Sequence, residues 1–82
     1  MTQQDKSFGT PVTVTIGGVP HRIGTVREAV DILSSTQWPG ARGPRHRDAR
    51  DTCLKVLDGH RSTADAEREF AAALDEAGLV VT

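Results

Sequence analysis

The spacing of apolar and polar residues changes period along the chain, and those changes mark out its elements. Over residues 12–16 the two kinds alternate, placing Val12, Val14 and Ile16 on one face and Thr13 and Thr15 on the other. That is the pattern of a half-buried strand. Gly17-Gly18 supplies the positive φ angles of a tight hairpin turn, and the chain returns through residues 19–23. Pro20 has no N–H to give to a ladder, which predicts a sheet edge on its side of the second strand.

A helical period follows. Thr25 and Glu28 have the spacing of a capping box, and Val26, Ala29, Val30 and Leu33 form one stripe behind it. Ser34, Ser35 and Thr36 weaken this first helix, and Pro39 is expected to stop it. Residues 37–43 form a loop, with Trp38 expected to fold back onto the core. A second helix is predicted over residues 44–58, with Pro44 at its first position and Gly59 closing it in the left-handed conformation. Its inner stripe is Ala49, Cys53, Val56 and Leu57, with His46 one turn earlier. The third helix is capped by Ser62, carries Asp65, Glu67 and Glu69 early, and buries Ala66, Phe70, Ala73, Leu74 and Ala77. Gly78 ends it, and residues 79–81 read as a short final strand. The expected fold class is α+β in the order β-β-α-α-α-β, a small antiparallel sheet with helices on one face. Residues 1–9 are expected to be a flexible tail, and residues 10–82 a single domain.

Composition narrows the class. The chain has 82 residues, 37% of them apolar and 26% charged, which is the balance of one folded domain and not of a disordered segment. Its only aromatic residues are Phe8, Trp38 and Phe70, so aliphatic side chains must fill most of the core. There is no signal-peptide pattern and no apolar run near the ~20 residues of a membrane span. Together with the lone Cys53 this points to a cytoplasmic bacterial protein with no membrane partner. A net charge of -1 argues against bulk attraction to nucleic acid.

The run Thr25-Val26-Arg27-Glu28-Ala29, then Trp38-Pro39 and Arg42-Gly43, resembles the motif of a family of short alphaproteobacterial, rhizobial-type proteins. Arg47-x-Ala49, Cys53, Leu57-x-Gly59, Phe70 and Glu76-Ala77-Gly78 fit the same pattern, so the resemblance extends from about Val12 to Val80. That family is catalogued as a domain of unknown function, family 982. The resemblance implies a fold and a bacterial group, and it carries over no catalytic or binding residue.

One segment departs from local rules. Residues 42–50 hold four arginines and one aspartate, so they carry +3 while the rest of the chain carries -4. These cations sit at the start of the second helix, where each is unfavourable by about 0.3–1 kcal/mol at low salt. Free amides after Gly43, flanked by Arg42, Arg45, His46 and Arg47, would suit a phosphate, a carboxylate or an acidic partner. The competing explanation is a solvated basic face in which Asp48 and Asp51 pair with neighbouring arginines. Nucleic acid is disfavoured: the chain has no tyrosine for base stacking, and the third helix is acidic on its outer face.

Candidates for chemistry are few. Cys53 belongs to an apolar stripe, and His46 lies nearly two turns, about 10 Å, away from it. His21, His46 and His60 have no zinc spacing, so no metal or cofactor is expected. No nucleophile elbow or phosphate loop is present, and a domain this small has little room for a pocket of roughly 300–1,000 Å³. An enzyme is not expected. The leading expectation is an interaction module that binds a protein partner or itself, through a sheet edge or the basic helix start, with Trp38 and Arg45 as anchors. The alternative is a binder of anions or nucleic acid through Arg42, Arg45, His46 and Arg47.

Overall fold

A computed structural model of the chain describes residues 6–39 and 42–81. Six elements follow one another: β1 (Ser7–Ile16), β2 (Val19–Thr25), α1 (Val26–Leu33), α2 (Pro44–Leu57), α3 (Thr63–Glu76) and β3 (Val80–Val81). The architecture is α+β, an antiparallel β1–β2 hairpin followed by three helices. Gly17 and Gly18 both have positive φ, 58° and 80°, as a tight hairpin turn requires. β3 lies antiparallel on the other side of β1, with Val81 opposite Val14 and Val80 opposite Thr15.

The even-numbered residues of β1 face the helices. Phe8, Val14 and Ile16 are buried there and Val12 packs against them. α3 packs on β1 and α1 on β2, while α2 lies against α1 and α3. The core is mainly aliphatic, with Phe70, Leu33, Val14, Val26 and Val56 almost fully buried. Covering a side chain such as Phe70 contributes roughly 1.5–3 kcal/mol. Trp38 is buried, 4% exposed, as the shortage of aromatics predicts. No helix among the described residues is long and apolar enough to cross a membrane.

Several boundaries differ from expectation. Residues 1–5 of the expected tail, and Gly40 and Ala41 of the expected loop, lie outside the described residues. Ser7, Phe8 and Gly9 are not a tail: they belong to β1, and the Phe8 ring stands 6.1 Å from that of Phe70. A register shift between Ser7 and Val12 hid this extension by breaking the ladder with β2. α1 ends at Leu33, six positions before Pro39, because the Ser34-Ser35-Thr36 run makes turns of its own; the Ser35 hydroxyl accepts from Gln37 N–H at 3.0 Å. Its buried stripe includes Ile32, and Val30 is only half-buried.

Helix ends otherwise follow their local signals. Thr25 Oγ1 accepts from Glu28 N–H at 3.0 Å, but the Glu28 carboxylate returns to Gly24 N–H at 2.7 Å, since Thr25 is still paired with Ser7. α2 and α3 both close through a glycine with positive φ. His60 N–H reaches Lys55 O and Leu79 N–H reaches Leu74 O, each pair one turn and a residue apart as in a Schellman close.

Candidate functional site

The start of α2 is the first place to look, because it gathers five of the six binding candidates. Gly43 is the N-cap and has no side chain to offer, Pro44 opens the helix, and no acid lies in the first turn. Its amides are nevertheless taken. The carboxylate of Glu76, the last residue of α3, accepts from Arg45 N–H and His46 N–H, both at 3.1 Å. A β-carbon on Gly43 would sit 2.7 Å from Glu76 Oε2, so glycine here makes room for that carboxylate. The anion at this helix start is built into the fold, and the amides expected to be free for a ligand are not free.

His46 continues the same junction. It is buried, and its Nε2 lies 2.6 Å from the carbonyl of Leu33, the last residue of α1. A carbonyl only accepts, so Nε2 carries the proton. The Trp38 ring meets the imidazole edge-on at 5.2 Å. The Arg42 guanidinium donates to Ser35 O, just past the end of α1. Arg42 and His46 thus serve carbonyls at the negative end of α1, where cationic and donor groups are favourable.

The remaining candidates are dispersed. Arg45, Arg47 and Arg50 are exposed and make no ion pair among the described residues. Trp38, expected as an anchor, is withdrawn into the core, with its Nε1 lacking a hydrogen-bond partner among the described residues. His21 is on β2, half-buried, and His60 is exposed after α2. Cys53 is fully buried, and burial pushes its thiol up to about 11.

The sheet edges are also less open than expected. On β2, Pro20 has no N–H and Gly24 N–H is held by Glu28. On β1, Pro11 has none and Gly9 N–H is held by Glu67 Oε2 at 2.9 Å. Prolines, a register shift and occupied amides are devices that discourage strand addition.

A different feature emerges between β1 and α3. A half-open groove of about 450 Å³ runs there, within the size range of ligand sites that a chain of this length was not expected to hold. Phe8, Thr10 and Val12 form one wall, and Phe70, Ala71 and Leu74 form the other. Leu79 and Val81 close one end, and Glu67 and Asp75 are its only ionisable groups among the described residues. Sequence reasoning missed it because its walls lie some sixty positions apart, as the Gly9–Glu67 bond with its separation of 58 illustrates. The one available signal was Phe8, which keeps the even-numbered alternation of Val12, Val14 and Ile16.

No curated protein and no solved structure matches the chain. The model of the family described as "Protein of unknown function (DUF982)" matches residues 10–81, nearly the whole fold from β1 to β3, and the chain belongs to that family.

Proposed function

We propose that this domain is a non-catalytic protein-interaction module of the cytoplasm whose docking site is the groove between β1 and α3. One observation carries this reading: over a floor of Phe8, Phe70 and Leu74 that the core already buries, the groove keeps apolar Ala71 and Val81 open to solvent, Val81 at 44% exposure. Apolar surface left in water gains about 25 cal/mol per Å² when a partner covers it. The groups around the groove suit binding better than chemistry. Glu67 and Asp75 stand eight residues apart on α3, about 12 Å of axial rise between their backbones, and no histidine lies beside them among the described lining residues. Elsewhere, the Cys53 thiol is buried and His46 is bonded to the carbonyl of Leu33. A lone buried thiol also fits a reducing compartment.

Binding of anions or nucleic acid through Arg42, Arg45, His46 and Arg47 has less support, because Glu76 already occupies the amides on which that idea depended. The two are separated by one comparison. Ala71→Trp fills the groove from an exposed helix position, and circular dichroism establishes that the variant is folded. A partner captured by the wild type, retained by Arg45→Ala/Arg47→Ala and lost with Ala71→Trp supports the groove. Capture that survives Ala71→Trp and disappears with the arginine pair overturns it.

A further inference from the structure

The groove has a charge pattern as well as an apolar floor, and the chemistry of its occupant rests on the docking role just proposed. Glu67, Ala71 and Asp75 recur every four residues, so they form a row along one wall. The two carboxylates bracket the methyl group of Ala71 from about 6 Å on either side along the axis. Neither has a cationic partner among the described residues. The ion pairs of this helix are made by Asp65 and Glu69 with Arg61 and Arg68, and among the described residues no lysine, arginine or histidine lines the groove. Glu67 Oε2 holds Gly9 N–H, and Oε1 makes no bond among the described residues.

We infer that the groove receives a basic–apolar–basic segment of a protein partner, an apolar side chain over Ala71 and a cation against each carboxylate. In an extended segment the rise of about 3.3 Å per residue puts positions i and i+4 about 13 Å apart, on the same side as i+2. The recognised pattern is then Lys or Arg, any residue, an apolar residue, any residue, Lys or Arg. A second copy of this chain is a poorer occupant. Groove against groove sets the same carboxylates against each other, and like charges in an interface are costly. Its exposed arginines Arg45 and Arg47 flank the buried His46, not an exposed apolar side chain.

The test is an amide-shift titration of ¹⁵N-labelled protein with three capped peptides, Gly-Lys-Thr-Leu-Thr-Lys-Gly and its counterparts with serine or glutamate in place of both lysines. The basic peptide should shift Phe8, Val12, Ala71 and Leu74, bind roughly fivefold or more tighter than the serine peptide, and weaken in salt, while the glutamate peptide shifts nothing. Asp75→Asn should bring the basic peptide most of the way down to the serine peptide. Equal binding of the basic and serine peptides overturns the charge pattern and leaves the groove as a docking site. An absence of groove shifts with all three peptides overturns the docking site itself.

Discussion

The two long helices meet the same difficulty in opposite ways. Each begins with amides that have no partner inside the helix. α3 satisfies them locally: Ser62 Oγ accepts from Asp65 N–H at 3.1 Å, and the Asp65 carboxylate returns to Ser62 N–H at 3.4 Å. α2 has neither a capping side chain nor an early acid, and borrows Glu76 from 31 and 30 residues away. That same Glu76 ends α3, at the pole of a helix where an acid is unfavourable. Cations at the start of one helix and an acid at the end of its neighbour each break the dipole rule, and one contact repairs both. A local rule broken in a sequence therefore calls for a second break elsewhere before it calls for a ligand.

Removing the borrowed acid should have the largest effect. Glu76→Ala strips two amides of a charged acceptor and leaves the arginines around them uncompensated, a loss of about 2 kcal/mol. For a domain of this length that lowers Tm by about 10 °C, measurable by circular dichroism. The variant should also gain what the wild type lacks. Sulfate in excess should raise its Tm by several degrees above a matched chloride control and leave the wild type at the control value. An equal response of both proteins would mean that the amides are open in the wild type, and would return the start of α2 to the list of ligand sites.

Gly43→Ala comes next. The backbone there, at φ -83° and ψ -163°, suits any residue, so the cost is steric. The new methyl group displaces a carboxylate that is mobile at its far end but held by two hydrogen bonds. The loss is therefore bounded by that of Glu76→Ala, at about 1–2 kcal/mol. In the Glu76→Ala background it should shrink to a few tenths, because nothing remains to be displaced. Additive losses across the double-mutant cycle would separate glycine from carboxylate and undo the explanation of both.

What could be read in advance follows the same division between near and far. Alternation of Val12, Val14 and Ile16, the Gly17-Gly18 turn, the Ser62 cap and the closing Gly59 and Gly78 are each written within a few consecutive residues, and the structure keeps all of them. Phe8 was lost from view because Gly9 and Pro11 interrupt the strand pattern at the register shift. The junction at the start of α2 could be seen as an anomaly, while its resolution by Glu76 depends on the antiparallel packing of α2 on α3. The groove is one step further removed. It exists because a small residue, Ala71, faces Phe8 across two elements from opposite ends of the chain.

The smallest expected effect sharpens the local half of the comparison. The guanidinium of Arg61, then that of Arg68, and the Ser62 hydroxyl and N–H beside Asp65 hold its carboxyl well below the usual carboxylate range. A folded-state value below the unfolded one means a contribution that is fully present above the ordinary value of 3.8 and fades as the pH falls through the folded value. Denaturant melts from pH 7 to pH 2 should therefore show the wild type losing part of its margin over Asp65→Asn once the pH drops below about 4. The margin is small even at neutral pH, because both ion pairs are solvent-facing and screened. Glu76→Ala should leave this acid response intact, since the local cap of α3 does not use it. If the wild type and Asp65→Asn run parallel down to pH 2, the Asp65 contacts contribute nothing in solution, and Ser62 alone holds the start of α3.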